Sequence, residues 1–136
     1  MEYEIERKYL VNGNFSRLVT EKKVIKQGYL STDPERTVRV RISNEKGYLT
    51  IKGGSDSTGM SRLEWEKEIP ATEAENLLQL CLPTVIHKTR NIIVFKGLTF
   101  EVDEFHDHNN GLILAEVELN SPEQKVELPE WIGKEV

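Results

Sequence analysis

The 136-residue chain has a single cysteine, Cys81, which excludes an intramolecular disulfide and a cysteine-built metal cage. It has no apolar run near the roughly 18 residues that a membrane span needs, so no membrane association is expected. It also lacks a basic excess: 18 Lys and Arg face 23 Asp and Glu, for a net charge of -5. Proteins that hold long nucleic acids carry the opposite balance, because they must replace counterions along the phosphates. Aromatic residues are 7% of the chain and form no ladder, which removes a base-stacking platform for single strands. The start, Met1-Glu2-Tyr3-Glu4-Ile5-Glu6, is acidic where a secretory leader would be basic and then apolar, so a cytoplasmic location is expected.

What is present is alternation. With 38% hydrophobic and 30% charged residues, the composition is that of an ordinary globular domain, and 1–136 reads as one domain without repeats or linkers. Strands are expected at about 2–10, 26–31, 36–43, 47–53, 62–69, 86–95, 98–106 and 111–119. Turn sequences such as Asp33-Pro34, Lys96-Gly97 and Asn109-Asn110-Gly111 separate them. Two helices are expected. One spans about 14–23, with Asn14 or Ser16 as N-cap. The other starts at Thr72 with a capping box, Thr72-Glu73-Ala74-Glu75, and is stopped by Pro83. Ala74, Leu77, Leu78 and Cys81 would form its apolar face.

Side chains two apart on a strand share a face. One face then carries Glu4, Glu6 and Lys8 in the first strand, Arg39 and Arg41 in the third, and Thr50 and Lys52 in the fourth. The fifth strand adds Arg62, Glu64, Glu66 and Glu68, and the sixth adds Lys88 and Arg90. The last two add Glu101 and Asp103, then Glu116 and Glu118. An antiparallel sheet with one wet face produces the same alternation. Here, however, the charges segregate by sign, and like charges two apart on a strand need counter-ions. Arginine pairs suit phosphate, and carboxylates from several strands suit a hard divalent ion such as Mg²⁺ or Mn²⁺. About eight strands can close into a barrel, and a charged face turned inward would make a polar tunnel. Its apolar outside would then need cover from the two helices or from a second copy, so a homodimer is one option. His87 should face outward, His106 and His108 should lie in a surface turn, and Trp65 and Trp131 should be packing residues.

These segments resemble the CYTH superfamily, the triphosphate tunnel metalloenzymes. Glu4-Ile5-Glu6-Arg7-Lys8 is similar to their ExExK signature. The similarity continues in order through Gln27-Gly28-Tyr29-Leu30, Val38-Arg39-Val40-Arg41, Leu49-Thr50-Ile51-Lys52-Gly53, Glu64-Trp65-Glu66 and Lys88-Thr89-Arg90. It ends with Phe100-Glu101-Val102-Asp103 and Leu114-Ala115-Glu116-Val117-Glu118-Leu119. The resemblance, closest to the short bacterial members, implies a mainly β fold: an eight-stranded antiparallel closed barrel with a few flanking helices. It implies metal-dependent hydrolysis of inorganic tripolyphosphate or a related small-molecule triphosphate. Adenylate cyclase or thiamine triphosphatase activity, or a non-catalytic polyphosphate- or nucleotide-binding module, are the alternatives.

By the same resemblance Lys8, Arg39, Arg41, Lys52, Arg62, Lys88 and Arg90 would bind phosphate. Glu4, Glu6, Glu64, Glu66, Asp103, Glu116 and Glu118 would be metal ligands or their neighbours. Tyr29, with Lys88 beside it, would be suited to take a proton from the attacking water. Chains of the short type generally continue one or two dozen residues past the segment Glu127–Val136, where this sequence stops.

Overall fold

The computed structural model describes residues 2–136. Nine strands are ordered along the chain: β1 (Glu2–Val11), β2 (Glu21–Asp33), β3 (Arg36–Ser43), β4 (Lys46–Ser55), β5 (Ser61–Ile69), β6 (Ile86–Phe95), β7 (Leu98–Phe105), β8 (Ile113–Glu118) and β9 (Ile132–Glu135). One α-helix, α1 (Ala71–Leu78), lies between β5 and β6. The spatial order is β5-β4-β3-β2-β6-β7-β8-β1-β9, and a β5–β1 pairing closes the first eight strands into a barrel. Every pairing is antiparallel, and closure leaves those eight strands without a free sheet edge. No helix among the described residues is long and apolar enough to cross a membrane.

The expected alternation holds, with the charged set turned inward. The apolar core therefore lies outside the barrel, in two clusters. Val40, Ala74 and Leu78, with Leu49, Leu77 and Cys81 against them, join α1 to the outer face of β3 and β4. Phe100, Val102, Ala115, Val117 and Trp131 form the second, beneath the chain that follows β8. Trp131 is its keystone, with ring centroids 6.0 Å from Phe15 and 5.7 Å from Phe100. This chain itself thus covers two parts of the outer wall, over β3 and β4 and over β7 and β8. Trp65 stays 37% exposed on the outer wall, opposite Ile51.

Three local expectations are corrected. Residues 14–23 form no helix: a 3-10 turn at Ser16–Leu18 is followed directly by β2. Asn14 does accept from the Ser16 backbone N–H at 3.0 Å, but the pull of β6 wins beyond it, as Glu21–Lys23 pair with Ile92–Arg90. The capping box at Thr72 is not used. Pro70 occupies the N-cap position, no side chain caps the helix, and the Pro70 carbonyl accepts from Ala74 N. β9 was not anticipated, because four residues are too few to display alternation.

Gly28 on β2 sits beneath the end of α1. A Cβ there would lie 2.9 Å from Cys81 Cβ and 3.0 Å from its Sγ. Gly28→Ala is expected to destabilise the fold by about 1–3 kcal/mol through overpacking, read from urea denaturation midpoints.

Candidate functional site: a charged tunnel through the barrel

The barrel bore is a cavity of about 590 Å³. Lys8 of β1, Arg39 and Arg41 of β3, Lys52 of β4, Arg62 of β5, and Lys88 and Arg90 of β6 all line it. Glu4, Glu6, Glu116 and Glu118 line it too, as does Tyr29. With Glu101 of β7, positions on all eight barrel strands therefore converge on one volume. Glu64, Glu66 and Asp103 do not line it, but each lies against a lining cation: Lys52 at 3.6 Å, Arg39 at 3.8 Å and Lys88 at 2.7 Å respectively.

The cations are held by specific partners. Asp103 is almost fully buried and accepts from Arg90 Nε at 2.8 Å, Arg90 Nη2 at 2.9 Å and Lys88 Nζ at 2.7 Å. Both its oxygens are engaged by cations. Glu101 takes Arg90 Nη1 at 3.1 Å. Gln27, also buried, accepts from Arg41 Nε at 3.1 Å. Thr50 donates to Glu66 at 2.7 Å, and Arg62 donates to the Gly53 carbonyl at 2.8 Å and to Thr37 at 2.9 Å. Arg39 lies 3.8 Å from Glu66, and its buried Nε has no partner among the described residues. An unpaired donor on a guanidinium that lines a cation-rich bore fits an anionic ligand.

Burial and crowding shift these groups. Burial, together with Arg90 and Arg41 nearby, brings the Lys88 ammonium down to about 8 despite Asp103. Burial, with Arg39 and Arg90 beside it, brings Arg41 down to about 10. Such a congregation of buried cations is costly in the folded chain and is relieved by a polyanion.

The carboxylates form two like-charge pairs. Burial and the neighbouring Glu116 raise Glu6 to about 8, while Glu116 is lowered against its own burial. The hydrogen bond with Glu4, reinforced by burial, raises Glu64 to about 7. Glu4 falls to about 2 against its burial, through hydrogen bonds from Glu64 and from Lys52 Nζ at 2.7 Å. Each pair sets two carboxyls against one another, a crowding that a bound cation relieves. No three acidic, histidine or cysteine side chains among the described residues gather closely enough to make a protein-only cage. This oxygen-rich, incomplete set suits a hard ion that keeps water or phosphate oxygens in its shell. Glu66, engaged with Thr50 and Arg39, stands outside both pairs, and Glu118 belongs to neither.

Sequence reasoning passed over Gln27, Thr37 and Thr50 as site residues. The signal was present for the threonines: each stands two residues from a charged lining residue and so shares its face. His87 is 45% exposed, and His106 lies at the surface, where it meets Thr89 at 2.8 Å.

A closed antiparallel barrel with a bore lined by arginine, lysine and paired glutamate is a tunnel for a small polyanion and a cation. The chain belongs to the CYTH domain family, whose model matches residues 2–136. It is 47% identical over 137 residues to an inorganic triphosphatase of Acetivibrio thermocellus, covering 100% of this chain and 86% of that protein. It is 34% identical to an inorganic triphosphatase of Nitrosomonas europaea, covering 98% of this chain and 88% of that one. A solved inorganic triphosphatase structure superposes with a TM-score of 0.68 at 31% identity, over 99% of this chain and 87% of that one. A putative adenylyl cyclase from Hippeastrum matches at TM-score 0.70 but 18% identity, over 88% of this chain and 81% of that one. That likeness shows a shared fold.

Proposed function

We propose that this chain is an inorganic triphosphatase that hydrolyses tripolyphosphate, with a divalent cation, inside the barrel. The observation that carries the reading is the convergence of seven basic side chains on one bore, with the buried Arg39 Nε unpaired. Arg39, Arg41, Lys52 and Arg90 hold the phosphates along the bore, with Lys8 and Arg62 at its edges. Glu4 and Glu6, with their partners Glu64 and Glu116, would hold the ion, Mg²⁺ or Mn²⁺. When bound, it neutralises phosphate oxygens and polarises the phosphorus.

The remaining work falls to the protein's own groups. Tyr29, which lines the bore, orients the water that attacks the terminal phosphorus in line by accepting a hydrogen bond from it at its phenolic oxygen. The new P–O bond forms as the bond to the pyrophosphate leaving group breaks. Lys88 and Arg90 stabilise the charge that develops there, pre-oriented by Asp103. Asp103 thus positions cations instead of ligating metal, and Glu66 orients Arg39 through Thr50. A cytoplasmic setting belongs to the same reading.

The test is orthophosphate release from tripolyphosphate with Mg²⁺ or Mn²⁺, beside ATP and thiamine triphosphate. Release from tripolyphosphate, with no cyclic AMP from ATP, is expected. Formation of cyclic AMP would instead make the chain a cyclase. Tight tripolyphosphate binding without release under either ion would make it a binding module. Arg39→Ala is expected to raise KM and lower kcat/KM at least about 100-fold, as loss of a charge-assisted fork from a dry site does.

A further inference from the structure

Two strands share one edge of β1. It pairs with β5 over Glu2–Ile5 and with β9 over Tyr9–Val11, so Glu6–Lys8 lie at a seam between two neighbours. The seam is framed by Glu6 N donating to the Met60 carbonyl at 3.3 Å and Val136 N donating to the Lys8 carbonyl at 2.9 Å. The cavity reaches it, for Arg7, Gly59, Met60 and Glu135 all contribute to its lining. Arg7 stands mid-seam. Its Nε donates to Glu135 Oε2 at 2.9 Å and its Nη2 to Oε1 at 2.5 Å, a two-pronged pair open to solvent on both sides. A pair this exposed contributes little to stability. The same guanidinium fork fits a phosphate as well as it fits a carboxylate.

We propose that Arg7 is a further phosphate-binding residue at a side mouth of the tunnel, and that the terminal phosphate of an entering polyphosphate replaces Glu135 on its guanidinium. The proposal rests on the triphosphatase reading and adds an entry point to it. Glu135 acts as an intramolecular competitor: it holds the fork in shape and is displaced by a stronger anion. Neither residue reaches the paired glutamates, so the exchange governs capture of substrate and leaves the chemical step alone.

Steady-state phosphate release from tripolyphosphate by the parent protein, Arg7→Ala, Arg7→Lys and Glu135→Gln tests this. Arg7→Ala is expected to raise KM about tenfold with kcat within about twofold. Glu135→Gln is expected to lower KM about threefold, because the competitor loses its charge. Arg7→Lys, which keeps the charge but not the fork, should fall between Arg7→Ala and the parent. A merely structural tie between β1 and β9 is broken by either substitution and would move KM in the same direction in both. Opposite directions support the proposal. The same direction, or an unchanged KM in Arg7→Ala, overturns it. If Arg7→Ala does not fold, Glu135→Gln decides alone, by a lowered or a raised KM. An active parent whose variants share its KM overturns the role of Arg7 only. A parent that releases no phosphate overturns the tunnel reading and the role of Arg7 with it.

Discussion

Replacing Glu4 and Glu6 together by alanine is expected to reduce metal-dependent phosphate release at least about 1000-fold, equivalent to about 4 kcal/mol of transition-state stabilisation. The two side chains enter the bore from one strand, and each is the β1 half of a carboxyl pair, Glu4 with Glu64 and Glu6 with Glu116. Removing them takes one carboxyl from each pair of the candidate ion site while every phosphate-binding cation stays in place. Lys52 loses its 2.7 Å partner Glu4 but keeps Glu64 at 3.6 Å, so it is not orphaned. Two close contacts between half-buried carboxyls also disappear. Without metal, the variant should therefore be at least as resistant to denaturant as the parent. Loss of activity without loss of stability places the ion at β1. Undiminished release would remove it from there.

Asp103→Ala is expected to destabilise the fold by about 3–5 kcal/mol, because it leaves Lys88 and Arg90 buried without their shared counter-ion. Arg90 keeps Glu101, but Lys88 then faces Arg90 and Arg41 in a buried setting. Urea denaturation measures the loss. Tripolyphosphate should restore more stability to the variant than to the parent, since a bound anion supplies the missing charge.

The pH dependence fixes the sign. Arg90 and Lys88 outweigh burial and hold the Asp103 carboxyl below its usual range in the folded chain. The folded state thus binds that proton less readily than the unfolded one. The contribution is complete above the ordinary aspartate value near 3.9 and disappears as pH falls through the lowered folded value. Below about pH 4 the parent should lose stability more steeply than Asp103→Asn. Parallel acid limbs would mean that Asp103 does not carry the cations.

Much of this site was legible from the sequence because a strand has a period of two. Arg39 and Arg41, or Glu116 and Glu118, must share a face whatever the fold, and like charges on a shared face require partners. Turn residues bounded the strands, and the order of the motifs carried the family. Helix boundaries were harder. Residues 14–23 have local features of a helix, including the Asn14 turn, yet hydrogen bonding to β6 draws Glu21–Lys23 into a strand. Pro70 overrode a plausible capping box one turn later.

Parity assigned each side chain to one of two faces, but it could not tell which face was inside. Burial of Phe100, Val102 and Val117 under Trp131, and of Val40 under α1, turns the apolar set outward and leaves the charged set to line the bore. Nor could parity pair residues across the bore. That Asp103 clasps Lys88 and Arg90 while Glu6 meets Glu116 depends on strand register, of β6 on β7 for the first and of β1 on β8 for the second. The sequence by itself determined which chemical groups share a face. Only the tertiary structure decided which carboxylate neutralises a cation and which is left beside another carboxylate, because a counter-ion works through distance in space and not through spacing along the chain.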